Sequence, residues 1–225
     1  MKWKWKLAQK LEFVWWQRYL KNKDAGAYLD WKKRYWRELL TKIAASLPHT
    51  SDLQILDAGC GPAGIFLALE GNQVDAIDSL LDKYELLPHF QPEKAAWTRF
   101  RKIPLEELDE TGKYDIVFCM NVINHVQDLA LCYDKLVAAL KPNGYLVIST
   151  DAHRNGFLKK IFQMIPGDML HPVQLDINEY AALLNQRGMS IINQLLYKRE
   201  PIFDYYITTS QKKPPDTEVV QKAEK

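Results

Sequence analysis

The sequence predicts an α/β fold: a seven-stranded, mostly parallel sheet with an antiparallel last strand, preceded by an N-terminal helical cap. Three observations carry this. Apolar residues recur at steps of three and four over residues 3–46, the period of helices facing a core. From residue 53 short apolar strands alternate with helices, which implies a parallel sheet covered on both faces. Near the end, two strand segments are joined through Arg199-Glu200-Pro201, too short a link for a crossover helix, so they should pair antiparallel.

The elements follow in order. Trp3, Leu7, Leu11 and Val14 mark a first helix, and Tyr28, Trp31, Tyr35, Leu39 and Ile43 a second, with Asn22 to Gly26 breaking the two. Strands are expected at 53–58, 72–78, 95–100, 114–119, 143–150, 189–197 and 202–210. Helices should fill 62–70, 79–87, 127–140 and 177–187. Lys141-Pro142-Asn143-Gly144 reads as a turn, since Pro stops a helix and Asn-Gly tolerates positive φ. The chain thus divides into a cap over 1–48, a sheet domain over 49–210 and a polar tail over 211–225 with no apolar period, expected to be disordered.

Composition narrows the function classes. At 225 residues and 47% hydrophobic, the chain can bury one sizeable α/β core. No apolar run approaches the ~20 residues of a membrane-spanning helix, and the charged start lacks a secretory signal's apolar stretch. Cys60, Cys119 and Cys132 form no Cys-x-x-Cys pair, so reduced thiols in a cytoplasmic protein are expected and no metal site is. The net charge of +2 is unevenly spread: residues 1–42 hold 12 Lys/Arg against 4 Asp/Glu, and the rest 18 against 24. Six of the seven tryptophans lie in that basic head.

The chemistry sits after the first strand of the domain. In Ile55-Leu56-Asp57-Ala58-Gly59-Cys60-Gly61-Pro62-Ala63-Gly64, the glycines let the backbone turn sharply and approach a ligand. The helix expected next would offer N–H groups to that ligand. Nineteen residues after Gly59, the following strand ends at Asp78, placed to accept hydrogen bonds from both ribose hydroxyls. Gly59-x-Gly61-x-x-Gly64 also matches a dinucleotide fingerprint. Asp57 argues against that reading, because its carboxylate would repel a pyrophosphate yet attract the cationic amino group of S-adenosylmethionine.

Over roughly residues 50–210 the sequence resembles the class I S-adenosylmethionine-dependent methyltransferases, whose sheet is Rossmann-like. The matching pieces are Leu56-Asp57-Ala58-Gly59-Cys60-Gly61, Asp78, Tyr114-Asp115-Ile116-Val117 and Leu140-Lys141-Pro142-Asn143-Gly144-Tyr145-Leu146. Within that family it is most similar to the ubiquinone-pathway O-methyltransferases. Cys119-Met120-Asn121-Val122-Ile123-Asn124-His125-Val126 resembles their Cys-Met-Glu-x-Leu-Glu-His-Val, and Ile148-Ser149-Thr150 with Arg154-Asn155-Gly156 resembles their Ser-Thr-x-Asn-Arg-Asn-Gly. Trp15-Trp16 is similar to an N-terminal Trp-Trp, and His171, Val173 and Ile177 to a His-Asp-Val-x-x-Phe-Ile run. The resemblance implies that Asp57, Gly59, Cys60 and Gly61 hold the methionine end of the cofactor, Asp78 the ribose, and Met120 with Asn121 the adenosyl group. Two departures stand out: Asn121 and Asn124 replace both glutamates, and Arg101-Lys102-Ile103-Pro104 replaces the acid that commonly follows the third strand.

Methyl transfer is an in-line displacement in which positioning carries most of the catalysis. A base is needed only to deprotonate an acceptor such as a phenol, and His125 and His171 are the histidines expected on the ligand-binding side of the sheet. Each has a plainer reading as a locally packed residue. The basic, aromatic head admits three readings: tryptophans packed on the sheet domain, a lid over an apolar acceptor, or a helix lying at lipid headgroups as a peripheral membrane contact. Nucleic acid is the less expected partner, since no base-methylation motif of the Asn-Pro-Pro-Tyr type is present. The expected function is methylation of a small, apolar or aromatic molecule at a hydroxyl; nitrogen or carbon methylation, or a non-catalytic cofactor-binding or membrane-adaptor role, are the alternatives.

Overall fold

The computed structural model describes residues 2–48, 51–153, 175–199 and 203–214. Seven strands form one sheet: β1 (Gln54–Ala58), β2 (Gln73–Ile77), β3 (Thr98–Arg101), β4 (Tyr114–Cys119), β5 (Leu140–His153), β6 (Met189–Arg199) and β7 (Phe203–Lys212). Their spatial order is β3-β2-β1-β4-β5-β7-β6. The first five pair in parallel, while β7 runs antiparallel to both β5 and β6. Strand order reverses between β1 and β4, so their carboxyl ends flank the switch point where open α/β sheets bind ligands. The expected mixed sheet and its antiparallel ending are both present.

Among the described residues five helices cover it: α1 (Lys2–Leu20), α2 (Ala25–Ile43), α3 (Leu81–Tyr84), α4 (Leu129–Ala139) and α5 (Ile177–Asn185). Capping sets several boundaries. Asp24 accepts from the Ala27 amide to start α2, Asp128 from the Leu131 amide to start α4, and Asp176 with Glu179 closes a capping box on α5. Side chains alternate across the sheet with period two. Ile55, Ile116, Phe118 and Val147 face a core completed by Leu20, Tyr28, Trp36, Leu39 and Ile43 of the head. Leu56, Val117, Leu146 and Ile148 face the opposite core with Tyr133, Leu136, Tyr180 and Leu184. Complete burial of Leu39 and Ile43 stabilises the docking of α2 by about 1.5–3 kcal/mol each.

Several elements differ from the sequence reading. The helix expected over 62–70 is a single 3-10 turn, Ile65–Ala68. This segment has no polar face, and α2 packs over it where a helix would otherwise lie. The Trp36 indole fixes the arrangement by donating to the Ala63 carbonyl at 3.0 Å. The helix expected over 79–87 shrinks to one turn, α3. The 141–144 turn survives as an irregularity inside β5, where pairing with β4 jumps from Tyr114↔Leu140 to Ile116↔Tyr145 and Asn143 takes φ +63°. β7 runs on to Lys212, into the segment read as tail. The remainder of that tail, from 215, and His171 lie outside the described residues.

Candidate active site

The loop after β1 wraps around the end of β2. The amides of Gly59 and Cys60 both donate to the Ile77 carbonyl, at 2.8 and 3.0 Å, and the Gly61 amide donates to Asp78 Oδ2 at 3.0 Å. Gly59 takes φ +76°, and a Cβ there would lie 2.2 Å from a Val122 methyl of the loop after β4. The two loops of the switch point therefore touch only because position 59 has no side chain. Gly64 is needed for a different reason: a Cβ would meet the Cys60 carbonyl at 2.4 Å and Asp57 Oδ2 at 2.5 Å.

These bonds change the role expected of the loop. Its three amides are turned inward, and no regular helix follows, so the segment is not the anion-binding terminus that a pyrophosphate needs. What it assembles is acidic. Asp57 is buried, accepts from the Phe66 amide at 3.1 Å, and has its carboxyl pushed up to about 7, chiefly by burial and further by Asp78. Asp78 accepts from Leu80 at 2.8 Å as well as from Gly61, and burial raises its carboxyl too.

Helix α1 brings in Trp16, one of the matching tryptophans, and Glu12, which sequence reasoning missed. Trp16 lies 3.6 Å from where a Gly61 Cβ would stand and edge-on to Tyr84 at 6.3 Å. Glu12, hydrogen-bonded to Trp16, sits close enough to Asp78 that its carboxyl rises to about 7, from burial first and Asp78 second. Three crowded carboxyl groups favour a ligand that brings positive charge and hydroxyl donors. S-adenosylmethionine, with an ammonium, a sulfonium and two ribose hydroxyls, fits that donor set, and a dinucleotide does not.

At the end of β4, buried Met120 leads into Asn121, an exposed residue at φ +60°. Asparagine tolerates this left-handed conformation better than most side chains. The Asn121 amide donates to Ser149 Oγ at 2.7 Å, and Asn121 Oδ1 accepts from the Tyr205 hydroxyl at 2.5 Å. Asn124 turns the other way, donating to the Asp151 carbonyl at 3.3 Å and accepting from Tyr180 at 3.3 Å. His125 is exposed at the end of the 3-10 turn Ile123–His125. Cys60 is buried, and its thiol is raised by burial, so it packs as a small apolar residue. Thus Asp57, Gly59, Cys60, Gly61, Asp78, Met120 and Asn121 lie at the carboxyl ends of β1, β2 and β4, around the switch point.

Comparison with known proteins agrees with this geometry. Residues 28–194 match the model of a family described as a methyltransferase domain. A ubiquinone biosynthesis O-methyltransferase of Rickettsia prowazekii (strain Madrid E) is 33% identical over 144 residues, covering 63% of this chain and 56% of that protein. The chain spans about half the length of the curated relatives it matches. The 1,6-didemethyltoxoflavin-N1-methyltransferase of Burkholderia thailandensis, solved with bound 1,6-didemethyltoxoflavin and S-adenosylhomocysteine, superposes with a TM-score of 0.64 at 19% identity, covering 92% of this chain and 88% of that one. Magnesium protoporphyrin IX methyltransferase of Synechocystis PCC 6803, solved with S-adenosylhomocysteine, gives 0.60 at 20% identity, covering 80% and 83%. With an acidic switch point on this sheet and a family match across most of its length, the chain belongs to the class I S-adenosylmethionine-dependent methyltransferases, related to those of the ubiquinone pathway.

Proposed function

We propose that the chain methylates a hydroxyl on a small, apolar or aromatic acceptor. The observation that carries this is the aromatic wall beside Asn121: Tyr205 bonds to Asn121, Tyr197 packs edge-on to Tyr205 at 5.9 Å, and Tyr35 of α2 meets Tyr197 at 6.0 Å. Aromatic faces suit a planar apolar molecule and the hydroxyls suit a polar substituent. The curated relatives, which carry the name ubiquinone biosynthesis O-methyltransferase, support oxygen as the methylated atom.

The sulfonium of the cofactor supplies an already activated methyl group, so the protein's part is placement. Asp57, the Gly59–Gly61 loop and Asp78 would hold the cofactor, with Met120 and Asn121 beside its adenosyl part. Helix α1, with Trp16 and Glu12 over Gly61 and Asp78, would exclude water from it. His125 would have to turn inward from its exposed position to meet an acceptor.

The outer face of α1 suits a lipid surface. Leu7, Leu11, Trp15 and Tyr19 recur at steps of four and are exposed, as is Trp31, and Trp15 stacks on Tyr19 at 4.9 Å. With the lysines of the head, this gives rings for the interface and cations for headgroups. No described helix is long and apolar enough to cross a membrane.

The test is turnover of isotopically labelled S-adenosylmethionine with a panel of catechols, simple phenols, aromatic amines and carbon acids, products being identified by mass. Methylated catechols or phenols support the reading. Methylation of amines or carbon acids alone would replace it, and cofactor binding without any product would favour a non-catalytic role.

A further inference from the structure

The inward face of α2 carries one residue out of place. Tyr28, Trp36, Leu39 and Ile43 are buried against the sheet, and Lys32 stands among them, four residues from both Tyr28 and Trp36. Leaving a cation in such a stripe is costly unless something meets it. Among the described residues Lys32 has no ion pair or hydrogen bond. Its Nζ lies over ring faces instead, 4.5 Å from the Trp36 centroid and 5.2 Å from that of Tyr35. Burial lowers the ammonium to about 8, and the charge of Asp57 on β1 opposes that effect without overcoming it.

The same ring leads to a chain of hydroxyls. The Tyr35 phenol is raised by burial and then by its neighbours Tyr205 and Tyr197, which reach it from β7 and β6. Tyr205 in turn donates to Asn121 Oδ1, whose backbone is anchored on Ser149. A half-buried cation without an anion thus stands at one end of an aromatic wall whose other end is the loop after β4.

We propose that Lys32, Tyr35, Tyr205 and Asn121 form the subsite for the acceptor's reactive oxygen, which Lys32 holds as the oxyanion of a phenol. This rests on the hydroxyl-methylating reading above. When Lys32 starts as the amine, it takes the phenol's proton on Nζ; when it starts as ammonium, that proton leaves to solvent. Either way a phenolate–ammonium pair results, shielded from water and facing Asp57 and the Tyr35 ring. The tyrosine hydroxyls orient the ring by donating to its oxygen or to a neighbouring substituent, Tyr205 giving up its bond to Asn121 Oδ1 to do so. An anionic oxygen could also come from the cofactor's own carboxylate, and the test separates the two.

The full chain, saturated with S-adenosylhomocysteine, is titrated with 4-nitrophenol while the phenolate absorbance is followed. Binding should shift the probe's ionisation toward phenolate by about tenfold, or about 1.4 kcal/mol, relative to free probe at the same pH. Lys32→Met should remove the shift, while S-adenosylhomocysteine affinity, which Lys32 reaches only through Asp57, falls by clearly less than tenfold by calorimetry. Lys32→Gln serves as the second variant if methionine at this site prevents folding. Tyr205→Phe should weaken probe binding about fivefold, close to the loss of one hydrogen bond, and keep the shift. A wild-type protein that binds the probe without the shift, or does not bind it, overturns the proposal, as does a shift that survives in both Lys32 variants. A tenfold loss of S-adenosylhomocysteine affinity in Lys32→Met would put the lysine on the cofactor carboxylate and also overturn it. Wild-type protein that binds the probe as phenolate but methylates no hydroxyl would leave the subsite standing and remove the hydroxyl-methylation reading instead.

Discussion

Replacing Asp78 by alanine removes the carboxylate that closes the loop after β1 onto the end of β2. Each carboxylate oxygen accepts one backbone amide, Leu80 at 2.8 Å and Gly61 at 3.0 Å, so the variant loses two loop bonds as well as the acceptor proposed for the ribose. A hydrogen bond to a charged group contributes about 1.5–3 kcal/mol, and about 1.4 kcal/mol is tenfold. S-adenosylhomocysteine affinity should therefore fall by about ten- to a hundredfold. Two orphaned amides near a half-buried side chain, partly reached by water, should cost folding about 2 kcal/mol. Asp78→Asn separates the effects, because its one carbonyl oxygen still accepts an amide while the charge is gone. The assay is calorimetric titration below each variant's melting temperature. A folded Asp78→Ala protein with unchanged affinity would refute the assignment of Asp78 to the ribose.

Four other outcomes follow from the packing and the charges. Gly64→Ala forces a Cβ against the Cys60 carbonyl, which cannot rotate away, and should destabilise the fold by about 1–3 kcal/mol in chemical denaturation. Trp36→Phe deletes the bond to the Ala63 carbonyl and should cost about 1 kcal/mol, with weaker S-adenosylhomocysteine binding because the turn after β1 loosens. Asp57 takes up a proton in the folded chain up to about pH 7, whereas the unfolded chain releases it in the ordinary carboxylate range. The stability of the cofactor-free protein should therefore decline as pH rises through that window, and S-adenosylmethionine, which favours the ionised acid, should bind better as pH rises through about 7, both followed by thermal melts. Replacing Leu11 and Trp15 by serine should reduce sedimentation with anionic vesicles while leaving cofactor affinity intact, and undiminished sedimentation would place any lipid contact elsewhere.

Much of this was readable from the chain alone, for local reasons. Ile55-Leu56 and Tyr114-Asp115-Ile116-Val117-Phe118-Cys119 are short apolar runs with turn residues at their ends, and the loop glycines announce positive φ at Gly59 and Gly61. Segment 62–70 misled because a run that is apolar on every side has the composition of a buried helix, and only the docking of α2 decides that one turn suffices. Glu12 and Lys32 are hard to single out in the sequence because their importance depends on elements far along the chain: Asp78 for one, Asp57 and the tyrosines of β6 and β7 for the other. One signal was available: Lys32 interrupts the very stripe that identifies α2 as a buried helix.

The bond from Trp36 to the Ala63 carbonyl has a bearing on how the protein is made. Helix α2 emerges from the ribosome before β1 and its loop exist, so the surface that must support residues 63–68 is synthesised ahead of them. A circular permutant that moves the first two helices to the end of the chain would reverse this order. Its sheet could assemble, but the turn after β1 would stay without its cover until synthesis was complete, and should be open to proteolysis for that interval.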